Sequence, residues 1–296
     1  MKILLAVILC LSGLPCVQDA REVPPQLSTE AQREFESKLT EARKTFEKDP
    51  RSVDNMIWLG RRTAYLGRYK DAIKIYTDGI NQFPSDARLY RHRGHRLITI
   101  RCIDAAIADF EKAAKLIRNK PDEIEPDGLP NARNIPTSTL QSNIWYHLGL
   151  AHYLKGDFQR ALKAYREAEK VSQNADMLVA TTHWLYMTLR RLGREAEARQ
   201  TLNAIKDDLE VIENADYYKM LMIYKGKLDA TAVWKEIGAD KESLSNATIG
   251  YGIANWYLYN GQRAEAEKIL AQVTAGNQWS SFGYITAESE LKRLRR

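Results

Sequence analysis

The sequence predicts an all-α protein built from stacked helical hairpins, and three observations lead to this class. Apolar side chains recur every three to four residues over most of the chain, as they do on one face of a helix. Glycine interrupts these runs where one helix would turn into the next. Corresponding landmarks recur 34 residues apart, since this spacing separates Gly60 from Gly94 and also Ala72 from Ala106. A period shared by two separate landmarks indicates a tandem repeat.

Composition agrees with this class and narrows the function only a little. Of the 296 residues, 44% are hydrophobic and 28% are charged, which suits a soluble chain with an ample core. The 9 prolines and 16 glycines are few enough for a mainly helical chain. The formal charge of +6 is a modest basic excess, which does not indicate a nucleic-acid-binding tail.

The first 20 residues have the form of a secretory signal peptide. Lys2 precedes an apolar run from Ile3 to Leu11, which is too short to span a bilayer. We therefore expect residues 1–20 to be cleaved between Cys16 and Ala20 and to lie outside the fold, with export to the bacterial periplasm or the cell exterior. Leu14 and Pro15 precede Cys16 where a lipobox requires a small residue, so we expect no lipid anchor.

Removal of this segment would leave Cys102 without a partner. We therefore expect no internal disulfide, and we expect Cys102 to be a small core residue between Ile100 and Ile103.

The clearest hairpin runs from Asn143 to Lys170. Two apolar helical runs are separated by Gly156, and Asp157 follows as a helix N-cap. The stretch resembles the tetratricopeptide repeat, a unit of about 34 residues. The positions that carry this resemblance are Trp145, Leu148, Gly149, Gly156, Phe158, Ala161, Tyr165 and Ala168.

The resemblance implies a right-handed superhelix of about five to six hairpins. Residues 53–118 form repeats 1 and 2, and residues 142–205 form repeats 3 and 4. In repeat 2, Arg101 occupies the position of the turn glycine. Residues 215–275 form degenerate repeats 5 and 6. We expect capping helices at residues 27–50 and 281–296, the last with a charged outer face in solvent that includes Glu288 and Glu290.

An insertion interrupts the repeat period at residues 119–140. From Gly94 to Gly149 the separation is 55 residues, so 21 remain after one period. Four prolines exclude a continuous helix in this acidic segment. Long loops in compact arrays are unusual and often functional. The insertion could be a disordered spacer, but its apolar residues favour an ordered loop that packs back on the array.

The C-terminal region from Tyr217 to Leu294 is also similar to the C-terminal half of periplasmic tetratricopeptide adaptor lipoproteins. The shared features are the sequence YKGKLD, a polar link, a hairpin with a glycine turn and a final helix. The resemblance implies an exported adaptor.

In tetratricopeptide superhelices the first helix of each hairpin lines a concave groove, where ligands usually lie. Counting from the close-packing glycine of each repeat gives the side chains expected to point into the groove. The candidate partner-binding or ligand-binding residues are Trp58, Arg61, Arg88, Arg91, His92, His95, Tyr146, His147, His183 and Trp184.

Two interpretations of this basic, aromatic surface remain open. Arginine pairs bidentately with carboxylate or phosphate, so the patch could bind an acidic ligand with an apolar part. Alternatively, the acids of the insertion, Asp122, Glu123, Glu125 and Asp127, could fold over the groove and neutralise it.

The function predicted from these patterns is a non-catalytic, exported adaptor that binds a peptide or protein partner in the groove. The alternative is a pocket for a small anion or a metal between the repeat 2–3 groove and the insertion. No phosphate-binding loop or nucleophile motif indicates an enzyme, and we expect no cofactor, no bound metal and no nucleic-acid partner.

Overall fold

The computed structural model describes residues 14–295, and this part of the chain contains helices and no β-strand. Six antiparallel hairpins follow one another, α3/α4, α5/α6, α7/α8, α9/α10, α11/α12 and α13/α14, so the predicted all-α tetratricopeptide stack is confirmed. The helices are α1 Pro15–Asp19, α2 Thr29–Lys48, α3 Val53–Tyr65, α4 Tyr69–Gln82, α5 Ala87–Thr99, α6 Ile103–Leu116, α7 Leu140–Lys155, α8 Phe158–Val171, α9 Ala175–Arg191, α10 Glu195–Thr201, α11 Ala215–Tyr224, α12 Ala230–Ile237, α13 Leu244–Tyr259, α14 Arg263–Thr274 and α15 Phe282–Leu294.

Short polar side chains fix where many of these helices begin. The Ser28 hydroxyl accepts a hydrogen bond from the Ala31 amide at 3.1 Å, which satisfies a backbone donor that has no partner within the helix. At the start of α7, Thr139 and Ser142 form a reciprocal capping box. The same type of cap starts other helices at Ser52, Asp86, Asp157, Asn174, Asp229, Ser243 and Ser281.

Glycine allows the two helices of a hairpin to approach closely. In repeat 3, a Cβ atom added to Gly149 would lie 2.7 Å from a ring carbon of Tyr165, which is fully buried. A larger residue at this position would separate α7 from α8. Gly94 and Phe110 make the equivalent contact in repeat 2. The spacing of sixteen residues between these partners therefore reports hairpin packing.

The hairpin turns use the left-handed backbone conformation. Gly67, Gly156, Gly193, Gly226 and Gly261 all have φ between 71° and 79°. This conformation favours glycine because it lacks a Cβ atom. Arg101 adopts the same conformation in repeat 2, with φ of 66°.

The insertion is ordered and folds back on the array. The backbone amide of Glu125 donates to the Ser138 carbonyl at 3.1 Å, and the Leu140 amide donates to the Glu123 carbonyl at 2.9 Å. The Asp122 carboxylate accepts from the Thr139 hydroxyl at 2.6 Å. The insertion therefore forms a closed loop whose two ends are joined at the start of α7.

The expectation that residues 14–20 lie outside the fold is wrong. Cys16 forms a disulfide with Cys102, with their Cα atoms 5.7 Å apart, so the expectation of no internal disulfide is also wrong. The Lys70 amide donates to a Glu22 carboxylate oxygen at 2.6 Å, and Val17 packs against the core. The amphipathic pattern of so short a segment does not reveal this contact. Residues 1–13 of the predicted signal peptide lie outside the described residues.

The expectation that α15 presents Glu288 and Glu290 to solvent is wrong as well. Glu290 is fully buried and pairs with Arg191 of α9 at 2.9 Å. Glu288 pairs with Arg101 at 2.8 Å. The last helix packs against α7, α13 and α14, so both of its sides are covered. Between residues 14 and 295, no helix is both long enough and apolar enough to cross a bilayer.

Candidate functional site

The insertion lies across the first helix of repeat 1. Arg61 on α3 donates from Nη1 to the Pro126 carbonyl at 2.7 Å. One residue later, Arg62 donates from Nη1 to the Gly128 carbonyl, also at 2.7 Å. A Cβ atom at Gly128 would collide with the Tyr65 hydroxyl, so this glycine permits the close approach of the loop to the helix. Backbone carbonyls of the insertion therefore use two of the cations of repeat 1.

An ion pair fastens the middle of the insertion to repeat 2. Arg91 Nη2 lies 2.8 Å from Glu125 Oε1, and each residue is more than nine-tenths buried. Asn143 of α7 donates to the other oxygen of this carboxylate at 3.2 Å. Because both carboxylate oxygens have donors, the charge of Glu125 is partly compensated in the buried site.

The far side of the insertion reaches the loop between α10 and α11. The Thr137 hydroxyl donates to Glu213 Oε2 at 2.6 Å, and Asn131 donates to Glu213 Oε1 at 2.8 Å. Arg133 pairs with Glu210 at 2.5 Å at the surface. The insertion therefore crosses the concave side from repeat 1 to the region after repeat 4.

Arg88 lies at the rim of the same region and is held by its neighbours. Its Nη1 atom is 2.6 Å from Asp54 of α3, and its Nη2 atom is 2.6 Å from Asp86, the N-cap of its own helix. The side chain remains partly exposed. Its two carboxylate neighbours fix the guanidinium at the mouth of a cavity.

That cavity, which we call the rim cavity, has a volume of about 270 Å³. The half-buried indole of Trp58 forms part of its wall, and the guanidinium of Arg61 lies 4.9 Å from the indole centroid. Ile124 of the insertion forms the opposite wall and is 69% exposed. The complete lining is Asp54, Ile57, Trp58, Arg61, Arg88, His92, Glu123, Ile124, Glu125, Pro126 and Leu140.

Three of the predicted groove histidines cluster behind the ion pair. The rings of His95 and His147 lie 4.7 Å apart, while His92 stacks on Tyr76 at 5.7 Å. Burial lowers the pKa of His92 and His95 well below the usual value, and the pKa of His147 to about 3. These imidazoles are therefore neutral at pH 7. Among residues 14–295, no cluster of three metal-ligating side chains is present.

Two residues predicted to face the groove lie instead in the core. His183 and Trp184 are each 1% exposed. His183 stacks on Tyr217 at 4.7 Å, and Trp184 stacks on Tyr251 of α13 at 6.0 Å. The repeat spacing assumed an open concave face at α9, but the C-terminal helices cover that face.

Tyr146 and His147 of α7 border a second cavity of about 220 Å³ on the other side of the insertion. The Tyr146 hydroxyl donates to the Tyr217 hydroxyl at 3.3 Å, and burial raises the pKa of Tyr146 well above its usual value. Phe282 of α15 and Glu213 also line this cavity. The repeat pattern did not indicate either residue, because both come from outside the first helices of repeats 1 to 4.

Comparison with known proteins agrees with this architecture. Residues 142–175 match the family model described as tetratricopeptide repeat. The match covers the hairpin α7/α8 and confirms the prediction of a tetratricopeptide repeat protein. No curated protein matches the sequence.

Solved structures resemble the chain at low identity. The crystal structure of MamA protein is 16% identical, with a TM-score of 0.45, and the alignment covers 68% of this chain and 89% of that chain. YrrB, titled a TPR protein with an unusual peptide-binding site, is 16% identical with a TM-score of 0.45, covering 85% and 97%. A chain of the APC/C hetero-tetramer Cut9-Hcn1 is 20% identical with a TM-score of 0.46, covering 90% and 40%. At these values the similarity says nothing about a ligand.

The tetratricopeptide architecture defines a class of interaction scaffold. Stacked helical repeats build extended surfaces that bind other proteins or peptides, and the repeats themselves are typically non-catalytic. In this chain the insertion divides the concave surface into smaller cavities.

Proposed function

We propose that the protein is an exported, non-catalytic adaptor that binds a peptide segment of a partner protein at the rim cavity. The observation that carries this proposal is the combination of an apolar wall, formed by Trp58 and Ile124, with the fixed cation of Arg88 at its mouth. An aromatic ring and a positioned arginine are the side chains that most often anchor a protein interface.

The exposure of Ile124 supports peptide binding at this place. An aliphatic side chain that is 69% exposed on an otherwise well-bonded loop gains stability when a partner covers it. The cavity volume of about 270 Å³ suits one or two side chains of an extended segment.

The test is affinity purification from the exported fraction with variants of the cavity wall. Trp58→Ala and Ile124→Ser should each lose a partner that the wild type retains. Leu228→Ser is the matched control, because Leu228 is an exposed aliphatic residue outside the rim cavity. Equal recovery of the partner by all four proteins would exclude the rim cavity as the binding site.

Export is part of the same proposal. The apolar run at residues 3–11 supports a signal peptide, and a disulfide between Cys16 and Cys102 suits an oxidising compartment. Because Cys16 is needed for the disulfide, we propose that cleavage occurs before Cys16. Mass spectrometry of the exported chain tests this, and a mature N-terminus after Cys16 would contradict it.

A further inference from the structure

A small cavity behind the rim is lined almost entirely by cationic and aromatic side chains. Its volume is about 100 Å³, roughly that of three water molecules in the liquid. The residues that line it are Arg61, Ala64, Tyr65, Tyr76, Arg91, His92, His95 and Arg96. None of these described lining residues is acidic.

Arg91 leaves one of its donors unused at this cavity. Its Nη2 atom bonds Glu125 at 2.8 Å, and its Nη1 atom lies 3.2 Å from His92 Nδ1 and 3.5 Å from His95 Nδ1. The Nε–H group is buried and has no hydrogen-bond partner among the described residues. Arg91 as a whole is 7% exposed, and a buried polar group without a partner costs free energy that a suitable ligand would recover.

The charges at this cavity do not balance. Arg61, Arg91 and Arg96 supply three guanidinium groups, while the nearby carboxylate is that of Glu125. Burial lowers the pKa of Arg91, and its pairing with Glu125 opposes this effect without reversing it. His92 and His95 add no charge at neutral pH, because burial and the neighbouring arginines depress the pKa of each imidazole.

From this geometry we propose that the cavity formed by Arg61, Arg91 and Arg96 is a carboxylate-binding site, and that it receives an acidic group of the partner peptide. Glu125 shows which chemistry the site accepts, since its carboxylate already lies against Arg91. A carboxylate in the cavity would gain the free Nε–H donor of Arg91 and the charge of Arg96.

This inference rests on the proposed peptide binding for the source of the carboxylate, but the site can be tested without any partner. The purified protein is titrated with sodium acetate at pH 7 and constant ionic strength, with sodium chloride as the balancing salt. Binding is followed through the arginine Nε–H signals in a nitrogen–proton correlation spectrum. We expect a saturable shift of one buried signal, which Arg91→Lys removes from the spectrum.

Two variants change the site in opposite directions. Arg96→Gln should weaken acetate binding about 10-fold or more, as expected when one charged group of a buried site is removed. Glu125→Gln should strengthen it several-fold, because the internal competitor for Arg91 loses its charge. Arg43→Gln is the control, because Arg43 is exposed on α2 and distant in the repeat array. It should bind acetate as the wild type does.

The results decide the proposal in each case. The absence of a saturable acetate response, or an equal response of wild type and Arg96→Gln, would overturn it. A response to inorganic phosphate but not to acetate would also overturn it, because the site would then be a phosphate site. If Arg96→Gln fails to fold, Glu125→Gln decides, and no gain in affinity counts against the proposal.

Failure of this inference is separate from failure of the proposed function. Loss of the partner in Trp58→Ala without any acetate response would leave the rim cavity as the peptide site and remove the carboxylate site. A saturable acetate response with unchanged partner recovery in Trp58→Ala would give the reverse result.

Discussion

Arg91 of α5 and Glu125 of the insertion form an ion pair at 2.8 Å, and both are more than nine-tenths buried. Removal of one member leaves an uncompensated buried charge, which typically costs about 3–5 kcal/mol. We expect Arg91→Met to be strongly destabilising and the double variant with Glu125→Gln to be less destabilising than the sum of the single changes. Urea unfolding of the four proteins measures the coupling, which we expect to be about 1–3 kcal/mol. Additive effects would show that the two groups are not energetically coupled.

The disulfide between Cys16 and Cys102 closes a loop of the chain across a sequence separation of 86 residues. A crosslink over a loop of this size typically stabilises a protein by about 2–4 kcal/mol, mainly by restricting the unfolded chain. We therefore expect dithiothreitol to lower the melting temperature of the wild type. Cys102→Ser should melt at the reduced value and should not respond to dithiothreitol. A wild-type melting temperature that is insensitive to reduction would contradict the pairing.

Arg101 combines a left-handed backbone with side-chain contacts to the C-terminal region. Its guanidinium lies 3.8 Å from the centroid of the Trp279 ring and pairs with Glu288 at 2.8 Å. Arg101→Ala would lose these contacts and keep the unfavourable φ of 66°. Arg101→Gly would lose the same contacts but relieve the backbone by about 1 kcal/mol.

Denaturant unfolding should therefore rank the three proteins as wild type, Arg101→Gly and Arg101→Ala, in order of decreasing stability. If Arg101→Gly were the most stable, the contacts with Trp279 and Glu288 would contribute less than the backbone conformation costs.

The buried histidines make stability depend on pH in the acid range. Burial lowers the pKa of both His147 and His183 to about 3, whereas the unfolded value is about 6.5. Between these values the unfolded chain binds protons that the folded chain does not. The free energy of unfolding therefore falls as the pH drops from about 6.5 towards 3, by up to about 1.4 kcal/mol per pH unit for each histidine.

Replacement of one histidine by a residue that does not titrate isolates this effect. His183→Gln should show a shallower loss of stability between pH 6.5 and pH 4 than the wild type, measured by urea unfolding at each pH. Parallel curves for the two proteins would show that His183 does not contribute to the acid sensitivity.

The sequence predicted the parts of the fold that depend on short-range spacing. The contact of Gly149 with Tyr165 and the turn at Gly156 lie within one hairpin, so a single repeat contains the residues that specify them. The positions of Arg91 and His92 on the concave side also follow from this local spacing. Their burial does not, because it depends on Glu125 and the path of the insertion.

Contacts between distant parts of the chain had no signal in the repeat pattern. Arg101 was recognisable as a departure from the turn glycine, but its partner Glu288 is 187 residues away. Trp184 satisfied the spacing rule for a groove residue, yet α13 covers it through contacts such as that with Tyr251. Spacing identifies which face of a helix is apolar or polar, and only the tertiary arrangement decides what lies against that face.

The neighbouring residues Arg101 and Cys102 hold opposite ends of the described chain, since one contacts the C-terminal helix and the other the N-terminal segment. The two ends also meet directly, through a hydrogen bond of 3.0 Å from Asn277 to Gln26. An array tied in this way cannot lengthen like a spring to admit a ligand. Access to the concave cavities must come from movement of the insertion, so the measured affinity for a ligand will include the free energy needed to lift that loop.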